Sequence, residues 1–283
     1  MTIAVAVKVN DGFVLAADSA TTLSASGADG TTQVLNIYNN ANKVFNLHKG
    51  LPIGAMTWGR GSIGPSSIST LTKDLRVRLS GTGDGHADWK LDPRAYRVLD
   101  VAERAREFLE DERYAALGEP EGSTLGDLGL MIGGYSAGAD EPELYEIRFG
   151  EEPAVVPVLD SVAGATWYGM PEAITRLLLG VSVTLPQVLI NLGVPPSEAP
   201  KFNEIIKQQV AIPFVAEAMP IQDAIDFAEF LVHMTIQFVR FSPGSPVVGG
   251  PIEVASVTKH EGFRWVARKH YFSSHLNPPM EMP

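Results

Sequence analysis

Cysteine is absent from this chain, which excludes disulfides, thiolate zinc sites, iron–sulfur clusters and a cysteine nucleophile. Long apolar runs are missing too: nothing approaches the roughly 18 uninterrupted apolar residues of a membrane span. The opening MTIAVAVKVNDG lacks the basic segment and apolar stretch of a signal peptide. A soluble, cytoplasmic protein is the expectation. Basic residues are scarce, with 22 Lys and Arg against 33 Asp and Glu, a net charge of −11. Such a chain is poorly suited to nucleic acid or an anionic membrane, both negative themselves. The six histidines (His48, His86, His233, His260, His270, His275) fall in separate segments without His-x-x-x-His spacing, so no metal site is expected.

What remains is a chain of 283 residues, 45% hydrophobic, ample for a large core. Its 27 glycines and 20 prolines stop short of low complexity. Neither an internal repeat nor a linker stands out, and a single domain over 1–283 is expected. The opening is the clearest stretch. Two apolar β-rich runs, 3–9 (IAVAVKV) and 13–17 (FVLAA), flank Asn10-Asp11-Gly12, a strong hairpin signal. Residues 19–41 are small and polar, an extended excursion with room for a strand. KVFNL from Lys43 and LPIGAMTW (51–58) predict a second hairpin.

Pro65 and the serines of 64–79 suit a helix start, with Ile68, Leu71, Leu75 and Leu79 on one face. A loop over 81–89 and a helix from Pro93 to about Leu117 follow, the latter burying Ala95, Leu99, Ala102, Phe108 and Leu109. Strands are predicted at 128–134, 143–149 and about 154–158. Tyr168-Gly169-Met170-Pro171 leads into an apolar helix. The proline-interrupted stretch 182–215 reads as an insertion with a helical piece, and 221–241 as an amphipathic helix. IEVASVT and FRWVARK form a closing hairpin, with a tail after about residue 271. Antiparallel strand pairs bracketing helix pairs give an α+β fold with sheets between helical layers.

Thr2 is the first residue with chemistry to offer. Met followed by a small residue is a junction at which the initiator is usually trimmed, which would leave a free α-amine and a hydroxyl on one residue. An amine titrating near pH 8 can take the hydroxyl proton directly or through water. Taken alone, a Met-Thr start also arises by chance. In a hairpin centred on residues 10–12, Asp18 returns to the end where Thr2 begins. A carboxylate there can orient Lys43, whose ammonium would favour the threonine alkoxide. Asp18 as a turn cap and Lys43 as a solvated lysine is the other reading of these residues. Trp58 and Trp167 suit a pocket wall or packing equally. The glycines of 81–85 lack the Lys-Ser/Thr of a phosphate loop, and Glu110-Asp111-Glu112 reads as a solvated helix face.

The stretch TIAVAVKVNDGFVLAADSATT closely resembles the start of a mature proteasome β-subunit, an N-terminal-nucleophile (Ntn) hydrolase; the bacterial HslV-type protease is a similar form. The resemblance is specific over residues 2–58 and covers most of the chain in order. It implies a four-layer αββα sandwich carrying an extra helical insertion. It implies a threonine hydrolase of peptide or related amide bonds, with Thr2 as nucleophile and Asp18 and Lys43 as catalytic partners. Thr22 would bind substrate backbone, and IGAMTWGRG would place Gly54 or Ala55 beside a bound peptide, with an oxyanion donor near Ala55. No cofactor or metal is implied. A homo-oligomeric ring or smaller assembly is expected, and an ATPase partner is left open.

Some family features depart. The serine of the glycine turn falls near Tyr168, beside Gly169. The second aspartate and serine before Gly249-Gly250 fall near Ser245 and Val248, with Ser242 as another option, and Ala20 replaces the usual arginine after Ser19. Ser19, Tyr168, Gly169 and Ser245 are therefore the supporting positions. The same departures suit two alternatives: a proteasome-like structural subunit without activity, or an Ntn amidase of a small molecule whose cleft Tyr168 and the insertion close.

Overall fold

The computed structural model describes residues 2–26, 32–82, 86–118 and 124–269. The expected tail after 271, His270, His275 and part of the 81–85 loop lie outside the described residues.

Two five-stranded antiparallel sheets organise the chain. The first has the order β12-β1-β2-β13-β14, from β1 (Ile3–Val9), β2 (Gly12–Ala17), β12 (Gly164–Gly169), β13 (Glu253–Thr258) and β14 (Gly262–Ala267). The second has the order β11-β10-β9-β6-β5, from β5 (Val44–Asn46), β6 (Ile53–Gly59), β9 (Leu128–Gly134), β10 (Glu143–Arg148) and β11 (Ala154–Pro157). Asp11-Gly12 turns β1 into β2, with Gly12 at φ +154 and Val9 opposite Gly12. The hairpins β1–β2, β5–β6 and β13–β14 stand where they were expected.

The β1 strand shows why the sequence reads as continuously apolar. Both its faces are covered, as in the interior of a layered fold. Ile3, Val5, Val7 and Val9 pack outward with Ala224, Ala228, Leu231 and Val232 of α6 (Ile221–Phe241) and Ile174 of α3 (Glu172–Leu179). Ala4 and Ala6 turn the other way and meet Phe13, Leu15, Met56, Met131 and Leu144, a cluster drawn from both sheets. The small alanines let the two sheets approach each other. A third cluster joins Ile53, Ala55, Leu130 and Ile132 of the second sheet to α1 (Ile68–Leu79) and α2 (Val98–Arg106). Helices thus cover the outer face of each sheet, and the fold is α+β. No described helix is long and apolar enough to cross a membrane.

The elements differ from expectation in several places. The polar excursion forms a hairpin, β3 (Thr21–Ser26) with β4 (Thr32–Tyr38), instead of one strand. The helix expected from Pro93 begins at Val98. Asp92 accepts backbone bonds from Ala95 and Tyr96 and a side-chain bond from Arg94 N–H, closing a turn, and Arg97 is extended, so Ala95 is exposed. From Glu107 to Tyr114 that helix continues in π geometry. Residues 164–169, unassigned by pattern, form the edge strand β12. Two short strands, β7 (Ser62–Ile63) and β8 (Ser66–Ser67), precede α1, whose N-cap Ser67 accepts from Thr70 N–H. The 182–215 stretch carries α4 (Leu185–Asn191) and α5 (Ala199–Val210) and is tied to α3 by Ile212 N–H to Leu178 O at 3.0 Å.

Candidate active site

The hairpin register brings Thr2 and Asp18 to one end of the first sheet. Ala4 stands opposite Ala17, and Asp18 N–H donates to Ile3 O at 3.2 Å. Asp18 is fully buried, and its carboxylate has four donors. Oδ1 accepts from Ile3 N–H at 3.0 Å and from Lys43 Nζ at 2.6 Å. Oδ2 accepts from Ala20 N–H at 3.1 Å and Gly249 N–H at 3.0 Å. One oxygen therefore joins the backbone beside Thr2 to the Lys43 ammonium. A carboxylate this buried is tolerable only when its lone pairs are filled in this way.

Lys43 precedes β5 and is 5% exposed. Burial lowers its proton affinity below that of an ordinary lysine. The charge and hydrogen bond of Asp18 oppose this, the charge of Lys269 adds to it, and Glu253 opposes it. Of the three catalytic candidates, Thr2 and Lys43 open on one cavity of about 760 Å³, and Asp18 is not among its lining residues. Its walls are the β3–β4 hairpin (Thr21, Thr22, Ser24, Val34), the end of β6 with the two residues after it (Thr57 to Gly61), and the N-cap and first turn of α1 (Ser67 to Thr70). Thr22 is thus at the cavity, as expected.

Gly54 and Ala55 are not. Both belong to the middle of β6, opposite Asn46 and Phe45, and Ala55 is fully buried in the cluster against α1 and α2. The part of β6 that reaches the cavity is its far end, Thr57, Trp58 and Gly59. Gly59 has φ +79, and a Cβ there would stand 1.8 Å from Asp127 O, so only glycine fits.

Of the supporting positions, Gly169 lies against the nucleophile candidate. It pairs with Ile3, has φ +94, and a Cβ on it would be 1.9 Å from Thr2 O. The next residue, Met170, donates its N–H to that same oxygen at 2.9 Å. Ser19 is fully buried beside Asp18, its N–H on Gly249 O at 2.9 Å and its Oγ donating to Pro251 O at 2.7 Å. Tyr168 points between the sheets. It stacks on Trp58 with ring centroids 3.9 Å apart and donates to Glu146 Oε2 at 3.2 Å. Ser245 is exposed and outside the cavity lining, and Ser242 Oγ donates to Phe238 O at the end of α6. Neither Tyr168 nor Ser245 lines the cavity where Thr2 is found. Trp58 lines the cavity, whereas Trp167 packs in the outer cluster and donates to Thr175 Oγ1 at 3.2 Å.

Sequence reasoning missed two residues at this centre. Glu253, 1% exposed, accepts from Lys43 N–H at 3.4 Å, and Lys269 lies 3.4 Å from the same oxygen. A charged residue inside the apolar closing strand β13 was the available signal for Glu253. Among the described residues no group of His, Asp and Glu could hold a metal ion. No family model and no curated protein matches this chain.

Proposed function

We propose that this protein is a threonine-type N-terminal-nucleophile hydrolase of peptide or related amide bonds, built on the four-layer αββα fold of proteasome-like subunits. The observation that carries the reading is the buried Asp18 carboxylate, which holds the Lys43 ammonium at 2.6 Å and the Ile3 N–H at 3.0 Å through one oxygen, while Lys43 and Thr2 line a common cavity. The strand orders and the separation of the three apolar clusters support the fold assignment.

Removal of whatever precedes Thr2 frees its amine. Thr2 Oγ then attacks the substrate carbonyl while the amine accepts the hydroxyl proton, directly or through water. The Lys43 ammonium lowers the cost of the developing alkoxide, and Asp18 keeps Lys43 aimed and charged. Collapse of the tetrahedral intermediate breaks the C–N bond, and the proton held by the amine passes to the leaving nitrogen. Water, deprotonated by the same amine, then hydrolyses the ester and regenerates Thr2. Gly59 and Gly61 border the cavity and are assigned the oxyanion role expected near Ala55, the Arg60 N–H between them being committed to Asp127 O at 3.0 Å. No cofactor or metal takes part in this sequence.

Self-association belongs to the same reading. Phe230, Phe238 and Phe241 on α6 and Phe202 and Ile205 on α5 are large apolar residues left exposed. Whether an ATPase serves such an assembly is a matter for co-purification.

Intact mass of the purified protein, followed by hydrolysis of fluorogenic peptides by wild type and Thr2→Ala, tests the proposal. Loss of Met1 and abolition of hydrolysis in the variant are expected. Retained Met1, or hydrolysis indifferent to Thr2→Ala, overturns it. The positions of Tyr168 and Ser245, which bring no hydroxyl to the cavity, favour an inactive structural subunit as the second reading. A processed wild type without hydrolysis of peptides or small amides would select it.

A further inference from the structure

Behind Asp18 and Lys43 lies a second buried ion pair that the proposed reaction does not use. Lys269, two residues past β14, places Nζ 3.4 Å from Glu253 Oε2, and the two side chains are 6% and 1% exposed. The same ammonium donates to Ser19 Oγ at 2.8 Å and to Ala41 O. It thus touches the residue after Asp18 and the residue two before Lys43. Ala41 N–H in turn donates to Ser19 O at 2.9 Å, which closes a ring of contacts around the site. Burying an ion pair costs desolvation that its attraction often fails to recover, and apolar residues often fill such a space at no loss of stability. Two further charges next to an existing pair therefore call for a specific role.

We propose that Lys269, anchored by Glu253, is a positioning residue for the Asp18–Lys43 pair, resting on the hydrolase reading above. Two effects follow from the contacts. Fixing Ser19 and Ala41 sets the distance between the Asp18 carboxylate and the Lys43 ammonium. Occupying Glu253 also leaves Asp18 as the acceptor for Lys43 Nζ. Without Lys269, Glu253 becomes an unpaired buried carboxylate already bonded to Lys43 N–H and competes for that ammonium.

The charged groups that act on Lys43 are Asp18 at the end of β2, Glu253 on β13 and Lys269 past β14, with Arg268 acting on Lys269. Taking away Lys269 removes a positive neighbour and leaves Glu253 unopposed. Both changes make Lys43 hold its proton to higher pH.

The test compares peptide hydrolysis by wild type, Lys269→Met, Lys269→Arg and Lys269→Met/Glu253→Gln, with Thr2→Ala as control. Lys269→Met is expected to lose about tenfold or more in kcat with KM little changed, the size of effect a small misplacement produces. Its alkaline limb is expected to move up by about one pH unit. Lys269→Arg keeps most of the activity, and the double variant brings the limb back toward wild type. Wild-type kcat and limb in Lys269→Met overturn the proposal, as does lower activity with an unmoved limb. Circular dichroism reports folding; if Lys269→Met is unfolded, the double variant carries the measurement. Failure of both to fold makes the pair a folding element and overturns the proposal. Hydrolysis unaffected by Thr2→Ala is a separate result, and it overturns the hydrolase reading together with this one.

Discussion

Asp18 and Gly249, 231 positions apart in the chain, are joined by a 3.0 Å hydrogen bond from the Gly249 N–H to Asp18 Oδ2. Ser19 N–H returns a 2.9 Å bond to Gly249 O. The carboxylate that aims Lys43 is therefore shared property of the opening hairpin and the loop before the closing one. Asp18→Asn is expected to leave the Lys43 ammonium buried without its counter-charge and to cost about 3–5 kcal/mol of stability. On the proposed mechanism hydrolysis is expected to fall by about a hundredfold or more, since the charge assigned to the reacting oxygen is lost. Lys43→Met should cost a similar amount for the opposite reason. The double variant should be less destabilised than the sum of the singles, because neither partner is then left alone. Urea denaturation of the four proteins measures this.

Gly169→Ala separates backbone placement from side-chain chemistry. The residue is at φ +94, and an added Cβ would meet Thr2 O at 1.9 Å. Backbone has to shift at the position where Thr2 is held. A loss of about 1–3 kcal/mol is expected from the strained conformation. A drop in kcat larger than that seen for an alanine at Gly138, where nothing lies within 4 Å, would tie the effect to Thr2.

The alkaline limb of kcat/KM is expected below the ordinary lysine value of 10.5, because burial makes Lys43 release its proton early. Between the folded value and 10.5 the unfolded chain holds more protons than the folded one. The contribution of Lys43 to stability therefore rises with pH across that window and is lost as pH falls through the folded value. On the proposed mechanism activity moves the other way, since a neutral Lys43 would no longer support the alkoxide. Tyr96, Tyr135, Tyr145 and Tyr168 are pushed up to about 12, chiefly by burial, and should stay protonated throughout. A pH–rate profile recorded alongside tyrosinate absorbance and urea melts checks all three statements.

Tyr168→Phe is expected to change little. The ring stack on Trp58 survives, and one 3.2 Å bond to the partly exposed Glu146 disappears. A stability loss of about 1 kcal/mol or less, with kcat near wild type, follows from the net value of a single hydrogen bond. A large loss of kcat would instead give the Tyr168 hydroxyl a place in the reaction. Steady-state kinetics on the purified variant decides.

Much of the centre was legible in the sequence because it is local. A two-residue turn fixes the register that returns Asp18 to Thr2, and Lys43 follows from the next apolar strand. What was not legible depends on distant strands or on where a strand enters a cavity. Gly54 and Ala55 carry the right residue types, yet the second sheet buries them, and the same strand reaches the cavity only from Thr57 onward. GATWYG has strand-favouring residues only at its Thr-Trp-Tyr centre, between glycines and without alternation, and it becomes β12 because β1 offers it an edge. Lys269 reads as the end of a hairpin. Nothing in its neighbourhood along the chain announces Glu253 and Ser19 as partners, since 250 positions separate it from Ser19. The early start given to α2 failed for a local reason: Asp92 draws the next residues into a turn before the helix can begin.

The placement of β1 between β12 and β2, with β2 leaning in turn on β13, has a consequence in time. During synthesis β1 is made well before its outer neighbour, which ends at residue 169, and β2 well before its second partner, which ends at residue 258. Contacts so far apart along the chain form slowly. A nascent chain therefore carries the nucleophile candidate and its carboxylate through the 231 positions that separate Asp18 from Gly249 without the donor that completes the carboxylate's shell. The candidate centre is therefore complete only once residue 249 and the strand that follows it have joined the opening hairpin.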